Sequence, residues 1–293
     1  MANLNELKLR IRSVKSTQKI TKAKQMVAAA KLRKAEEAAT MARPYAERME
    51  AVLANLASGV GDLSNAPKLL AGTGSDKVNL LIVATADRGL CGAFNTNIVR
   101  KAREAIVRLQ CEGKTIKIIC IGKKGRDQLK RLYGELIIKT VELSEVKKVG
   151  FANAKEIADD VLARFEAGEF DIAHLFFGKF KNVLTQVPTE IQVIPAKAPE
   201  NAELPDLAGA IYEYEPDEEE ILKTLLPRYV AVQMFRALLE NAASEQAASM
   251  TAMDNATRNA GEMIDDLTLQ FNRARQAKIT TELIEIIAGA ESV

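Results

Sequence analysis

The two ends of this chain each carry a long helical pattern, and no other feature of the sequence limits the possible folds as strongly. Residues 3–57 and 218–289 are rich in Ala, Leu, Ile, Glu, Lys and Arg, and a segment with alternating strand and helix patterns lies between them. At about 1.5 Å per residue, the first pattern would form a helix roughly 80 Å long, which is far longer than a globular core needs. We therefore predict that the two ends pair as a rod, and we expect a mechanical role rather than a catalytic one.

The N-terminal pattern has the alternating steps of three and four that define a coiled-coil seam. Its seam positions are Leu4, Leu7, Ile11, Val14, Gln18, Thr21, Gln25, Ala28, Leu32 and Ala35. The middle of this seam is polar or small, so it lets two helices approach closely and leaves polar groups for a surrounding partner. The seam candidates in the C-terminal pattern are Leu238, Ala242, Glu245, Ser249, Ala252, Ala256, Asn259, Met263, Leu267, Phe271 and Ala274.

The middle of the chain is predicted to form a mainly parallel sheet with helices on its faces, because strand and helix patterns alternate along it. The expected strands are 78–84, 116–121, 136–140, 171–177 and 186–194, and the expected helices are 97–110, 125–132 and 153–167. The predicted organisation is a shaft helix over 1–57, a linker over 58–77, an α/β domain over 78–195, a second linker over 196–216, and a helix over 217–293 that pairs with the first. Pro44 and Pro227 fall inside the two terminal patterns, where a bend is expected.

Charge is distributed unevenly, although the formal net charge of the 293 residues is only +2. Between Lys8 and Lys34 there are ten Lys or Arg residues and no acid. Such a stripe fits a nucleic-acid surface, a solvated helix face, or a surface enclosed by an acidic protein. Nucleic-acid binding is disfavoured because no aromatic residue is interleaved before Tyr45.

Few residues are candidates for chemistry. A loop follows the first strand, where an open α/β sheet binds its ligand, and it contains Asp87, Arg88, Gly89, Leu90, Cys91 and Gly92. It lacks the glycine spacing of a phosphate-binding loop, so we favour a tight structural turn, as we do for residues 122–126. His174 is the only histidine and lies in an apolar strand, and the three cysteines have no metal-ligand spacing. The sequence predicts no catalytic residue, no cofactor and no metal.

The end of the chain is unusually apolar for a surface helix. Five residues, which we call the apolar tip, lie on most of the helix circumference: Leu283, Ile284, Ile286, Ile287 and Ala288. We expect a partner to bury them. The sequence contains no apolar run of membrane-spanning length. The basic N-terminus is similar to a mitochondrial transit peptide, but the helical pattern continues without a processing site, so a removable presequence is disfavoured.

Four ordered blocks of sequence resemble the gamma-subunit family of ATP synthases. They are residues 17–34, the loop 87–92 with Asn95, residues 244–261, and the C-terminal stretch 279–292. The resemblance covers essentially the whole chain. It implies a rotor whose terminal helices form an antiparallel coiled coil inside a ring of three alpha and three beta subunits. It also implies a Rossmann-like central domain that binds no nucleotide and rests, with the epsilon subunit, on the membrane c-ring.

The resemblance further implies which residues meet the stator. Its candidates for contact with a beta-subunit loop are Arg275, Gln276, Thr280, Thr281 and Glu282. The delta and b subunits would share the complex without extensive contact, and no nucleic acid or small-molecule substrate is expected. The implied location is the cytoplasmic face of a bacterial inner membrane, as a peripheral protein, with the mitochondrial matrix side as the alternative.

Two positions depart from the family pattern. Family members commonly carry Met where this chain has Lys24, and Arg where it has Ser249. The resemblance places both positions in the region expected to face the beta-subunit loop, so they are further candidates for contact with the stator. If residues near 1 lie opposite those near 272, positions 24 and 249 are neighbours, and we hypothesise that the positive charge has moved between helices. Two other classes stay open: a basic coiled-coil protein that binds nucleic acid, and an α/β nucleotide enzyme with helical arms.

Overall fold

The computed structural model describes residues 4–59, 67–146, 149–196 and 218–291. The chain divides into two compact units, one formed by Met1–Ala29 with Ser249–Val293 and the other by Ala30–Ala248. Parts of both predicted linkers lie outside the described residues, namely 60–66 of the first linker and 197–216 of the second. A short helix, α2 (Lys68–Ala71), follows the first of these gaps.

The two terminal helices are present as predicted. Helix α1 spans Leu4–Gly59 and helix α6 spans Glu218–Glu291. Pro44 lies inside α1 and Pro227 inside α6, and neither proline ends its helix. A proline removes one backbone donor from a helix, so each helix continues past a missing hydrogen bond.

The central segment forms one five-stranded sheet in the order β3-β2-β1-β4-β5. The strands are β1 (Val78–Ala84), β2 (Thr115–Ile121), β3 (Ile137–Val141), β4 (Ile172–Phe180) and β5 (Gln186–Ile194). The intervening helices are α3 (Phe94–Cys111), α4 (Lys123–Tyr133) and α5 (Phe151–Glu166). Strands β1 to β4 pair in parallel, and only β5 is antiparallel. The predicted mixed α/β class and the mainly parallel sheet are confirmed.

Alternate residues of β1 supply the two hydrophobic cores. Leu80 and Ile82 join the core beneath α5 and α6, whereas Leu81 and Val83 join the core beneath α3 and α4. A strand that is covered on both faces is mostly apolar, which explains the apolar run of residues 80–84. Asn79 is the buried polar exception in β1, and its side chain donates a hydrogen bond to the Asp76 carbonyl. Each fully buried Leu or Ile contributes about 1.5–3 kcal/mol to stability.

In the unit formed by the chain ends, the first part of α1 pairs with the last part of α6. All ten predicted seam residues of α1 are buried or half-buried, and the other described residues between 4 and 35 are exposed. Two side-chain pairs set the register, Thr21 with Thr257 and Gln25 with Asp254. The partner number falls as the α1 number rises, so the pair is antiparallel.

The predicted seam and register of α6 need correction. Asn259 and Met263 are exposed, and Ala260 and Ile264 are turned inward instead. Thr257 lies opposite Thr21, which is five residues beyond the position expected from the sequence pattern. The pattern of small residues identifies a helix face only approximately, whereas polar pairs across the seam determine which residues lie opposite each other.

Candidate functional site

The loop that follows β1 is anchored by its first residue. Asp87 accepts hydrogen bonds from the backbone amides of Lys123 (3.0 Å) and Leu143 (2.9 Å) through its two carboxylate oxygens. Those amides belong to the segments that follow β2 and β3, so one side chain ties together the carboxyl ends of three strands. This geometry supports the prediction of a structural turn.

Two further side chains shape the inside of the loop. Asn95 accepts a hydrogen bond from the Ala86 amide (2.9 Å) and donates one to the Cys91 sulfur (3.1 Å). Burial, and the nearby charge of Glu245, raise the pKa of the Cys91 thiol. This thiol is therefore a packed structural group rather than a nucleophile.

The tip of the loop faces outward. Arg88, Gly89, Leu90 and Gly92 are exposed, and Leu90 has a φ of 68°, a conformation that non-glycine residues seldom adopt. The loop thus has a buried anchor and an exposed tip, and only the tip is available to another protein.

Helix α6 fills the crevice where this fold class usually binds a ligand. That crevice lies at the carboxyl ends of the strands, where the chain order reverses between β1 and β4. Asn241 accepts a hydrogen bond from the Gly178 amide (3.1 Å), and Ser244 donates one to the Gly178 carbonyl (2.8 Å). One turn further on, Ala248 packs in the same core as Cys91. This role of α6 was not predicted from the sequence. Polar residues such as Asn241 and Ser244, within a mostly apolar stretch of the helix, could have indicated it.

Glu245 lies on α6 beside the β1 loop. Burial is the main reason that its pKa is raised to about 7, and the charge of Asp87 raises it further. Lys31 and Arg88 act in the opposite direction. A carboxyl group that changes charge near neutral pH therefore lies between the helix and the loop.

The expected stator contacts lie on exposed helix surface. Lys24 is exposed and Ser249 is half-buried. The candidates near the end of α6 are all exposed, namely Arg275, Gln276, Thr280, Thr281 and Glu282. The two threonine hydroxyls donate to the carbonyls four residues earlier at 3.0 Å, and Glu282 lies 3.4 Å from Lys278. These polar side chains lie on one exposed stretch of helix that also contains Ala277 and Ile279.

The apolar tip is exposed in the isolated chain. The exposed fractions are 53% for Leu283, 61% for Ile284, 69% for Ile286 and 55% for Ile287, and Ala288 is also exposed. Single exposed apolar residues are ordinary, but four large ones within five positions of a helix end are expected only at a binding surface.

The remaining candidate for chemistry, His174, lies in an ion-pair network on the sheet. The Nδ1 atom of His174 lies 3.4 Å from a carboxylate oxygen of Glu190, which also accepts a hydrogen bond from Arg108 (2.7 Å). Within the described ranges, no cluster of His, Cys, Asp or Glu is arranged to hold a metal ion. No described helix is both long and apolar enough to cross a bilayer.

Comparison with known proteins identifies the class of this coiled-coil and α/β chain. The family model described as ATP synthase matches residues 3–293. An ATP synthase gamma chain from Ruegeria sp. (strain TM1040) is 62% identical over 293 residues, which is 100% of both chains. One from Rhizobium etli (strain CIAT 652) is 60% identical over 294 residues, again with full coverage of both. The chain belongs to the family of ATP synthase gamma chains, which are non-catalytic subunits of the complex.

Solved structures agree with this assignment. A chain from the central stalk and c-ring of Tetrahymena thermophila mitochondrial ATP synthase superposes with a TM-score of 0.61 at 27% identity. The match covers 81% of this chain and 99% of that one. A chain from Euglena gracilis mitochondrial ATP synthase, at 21% identity, shares the fold with a TM-score of 0.68 over 99% of this chain and 94% of that one.

Proposed function

We propose that this chain is the rotating central shaft that couples proton flow through the membrane sector to ATP synthesis and hydrolysis at the alpha and beta subunits. The observation that carries the proposal is the exposed apolar tip on a paired helix, in a chain of the gamma-chain family. A water-exposed surface of this kind is stabilised when an apolar collar encloses it, and an apolar contact without directional bonds permits turning.

The partners follow from this role. The tip and the stretch 275–282 meet a ring of three alpha and three beta subunits, and the α/β domain meets the epsilon subunit and the membrane c-ring. The delta and b subunits belong to the same complex without extensive contact. The chain acts at the cytoplasmic face of a bacterial inner membrane as a peripheral subunit, and the matrix side of a mitochondrial membrane is the alternative location.

The shaft works through its asymmetry. A rotor can favour one catalytic site over another only if its surface makes different contacts with the open and closed states. The polar side chains of Arg275, Gln276 and Glu282 lie along one exposed stretch just before the apolar tip. We assign these side chains to angle-dependent contacts with a beta-subunit loop, with the tip as the bearing beyond them.

Lys24 and Ser249 are proposed to exchange a positive charge between the two helices, so that Lys24 supplies the charge that position 249 lacks. Both lie in the unit formed by the chain ends. Thr21 pairs with Thr257 and Gln25 with Asp254, so the expectation that Lys24 and Ser249 face each other is wrong, and the exchange acts through the contacts that each position makes with the stator. We expect Lys24→Met and Ser249→Arg each to lower the number of protons pumped per ATP, and the double variant to recover it. Equal losses in the single and double variants would contradict the exchange.

Reconstitution tests the shaft role directly. The purified chain is mixed with alpha and beta subunits, and Mg-ATP hydrolysis is measured together with the mass of the assembly. One copy of the chain per three alpha-beta pairs, in an active assembly, is the expected result. The variant Ile286→Asp with Ile287→Asp should weaken assembly, whereas Glu262→Asp, on an exposed part of the same helix, should not.

The alternatives predict different outcomes. A well-folded chain that fails to associate, and that binds DNA with a steep dependence on salt, would favour a nucleic-acid protein. Saturable binding of nucleotide by the isolated chain would favour an enzyme, and would contradict the filling of the sheet crevice by α6.

A further inference from the structure

We infer that a polar contact between α1, α6 and the end of β4 is the torque-bearing joint between the helices and the sheet. We call this contact the β4 joint, and it consists of Arg43, Gly178, Phe180, Glu240, Asn241 and Ser244. The inference rests on the proposed rotation, because torque has to pass between the helices and the α/β domain only if the chain turns as a shaft.

A closed ring of hydrogen bonds forms the centre of the joint. Glu240 has an almost fully buried side chain, which is 2% exposed. One of its carboxylate oxygens accepts from Arg43 Nε (2.8 Å), and the other accepts from the Phe180 amide (2.9 Å). Arg43 also donates to the Phe180 carbonyl at 3.2 Å. A residue from each of the two helices therefore holds the backbone of one strand residue.

A second contact holds the strand two residues earlier. The Gly178 amide donates to Asn241, and the Gly178 carbonyl accepts from Ser244. A β-carbon at position 178 would lie 2.6 Å from the ring of Phe94, so only glycine lets the strand, helix α6 and helix α3 meet here. Both backbone groups of Gly178 and both of Phe180 are thus bonded to helix side chains.

The direction of these bonds suits them to carry torque. Apolar surfaces resist separation, but they resist sliding weakly because the hydrophobic effect has no direction. Hydrogen bonds depend on angle and distance, so they oppose a change in orientation. Strand β4 pairs with β1 on one side and β5 on the other, so a load on β4 is shared across the sheet.

The ion pair joins the buried carboxylate of Glu240 to Arg43, whose side chain is 34% exposed, and its contribution to stability does not account for its position. Replacing a buried ion pair by apolar residues of similar size is often neutral or stabilising. An apolar pair could hold the two helices together, but it would leave the Phe180 amide and carbonyl without these partners and would not fix the strand at one angle. We assign Arg43 and Glu240 to positioning the sheet on the helices.

A matched control is available in the same two helices. Glu50 of α1 accepts hydrogen bonds from Gln233 (2.8 Å) and Arg236 (2.9 Å) of α6. This link joins α1 to α6 through a half-buried ion pair, but none of its hydrogen bonds reaches the sheet. Removing it tests the loss of a helix–helix ion pair without the loss of the strand contact.

The experiment uses the whole complex in sealed membrane vesicles, where ATP hydrolysis and ATP-driven proton uptake are measured on the same sample. The joint variant is Arg43→Leu with Glu240→Leu, and the control is Glu50→Leu with Arg236→Leu. We expect the joint variant to keep hydrolysis while losing most of its proton uptake per ATP, and the control to keep the parent ratio. An unchanged ratio in the joint variant, or an equal loss in both, would overturn the inference.

Two checks separate the possible failures. If the parent complex does not assemble or does not pump, the shaft role itself fails rather than the joint. If the double variant does not assemble, Ser244→Ala carries the same test, because it removes one strand contact and leaves the ion pair. Amide exchange at Phe180 should be faster in the Arg43→Leu with Glu240→Leu variant, which removes the acceptor of that amide, and unchanged in the control.

Discussion

The hydroxyl groups of Thr21 and Thr257 lie 2.7 Å apart, and they join two helices at positions 236 residues apart in the sequence. One hydroxyl donates to the other, and the accepting hydroxyl donates to a carbonyl of its own helix, either Gln18 for Thr21 at 3.0 Å or Met253 for Thr257 at 2.7 Å. A polar pair in a seam of small residues fixes the alignment of the helices more than it strengthens their association.

Replacing one or both threonines should therefore have opposite effects. Thr21→Val leaves one hydroxyl facing an apolar group, so we expect a loss of about 1 kcal/mol in the free energy of unfolding. Thr21→Val with Thr257→Val makes the contact apolar and should restore or raise stability. Thermal unfolding followed by circular dichroism measures both, with the exposed Thr268→Val as the control. A double variant less stable than either single variant would contradict this account.

Glu245 should make stability depend on pH in one direction. Its folded pKa of about 7 lies above its ordinary value of 4.5, so the folded state holds the proton more tightly. Stability is then greatest at low pH, falls as the pH rises through this window, and stays reduced above it. We expect Glu245→Gln to stabilise the chain by up to about 3 kcal/mol at pH 8, and to have little effect at pH 4.

Urea unfolding of the parent and Glu245→Gln chains across this pH range measures the effect, and the exposed Glu262→Gln is the control. A constant difference between parent and Glu245→Gln at all pH values would contradict the assignment. Asp87→Asn should also move the midpoint of this pH dependence downward, because it removes the negative charge that raises the pKa of Glu245.

Asp87 should be more important for stability than its position in a loop suggests. Asp87→Ala removes two hydrogen bonds from backbone amides, and we expect a loss of about 2–4 kcal/mol. Asp87→Asn keeps only one acceptor oxygen, so its free energy of unfolding should lie between those of Asp87→Ala and the parent. Chemical denaturation measures the order of stability of these variants, and Asp127→Ala, at an exposed position, is the control. Equal stability of Asp87→Ala and the parent would mean that the loop is held by other contacts.

Gly122 should tolerate no side chain. It has a φ of 96°, and a β-carbon there would lie 2.4 Å from the Thr85 carbonyl oxygen. Gly113 has a similar φ of 73° but has no atom within 4 Å of the same point. Gly113→Ala should cost about 1–2 kcal/mol from conformation alone, and Gly122→Ala at least about 2 kcal/mol more from the clash. Equal losses in the two variants, measured by chemical denaturation, would show that backbone conformation is the whole cause.

Local patterns were sufficient for the elements of secondary structure. The expected strands 78–84 and 186–194 match β1 and β5 residue for residue, and the other predicted strands and helices differ from the structure by at most a few residues at either end. The short helix α2 was not predicted, because it falls within the expected linker 58–77. The ten seam positions of α1 were also predicted, because a helix that is half covered shows its buried face in the spacing of the residues. The family was evident from the motifs.

Contacts between distant residues were not predictable in the same way. The register of the helix pair was wrong by about five residues, and Asn259 and Met263 were assigned to the wrong face. The β4 joint was missed altogether, because Glu240 and Arg43 are 197 residues apart and each reads alone as an ordinary charged helix residue.

The sequence by itself determined that two long helices precede and follow a mainly parallel α/β segment along the chain, because periodicity and apolar runs are properties of neighbouring residues. Only the tertiary structure decided that Thr21 faces Thr257, that Asp87 ties together three strand ends, and that α6 occupies the crevice of the sheet. Those outcomes depend on which polar groups find partners when distant segments are packed together, and buried polar groups are stable only in an arrangement that satisfies them.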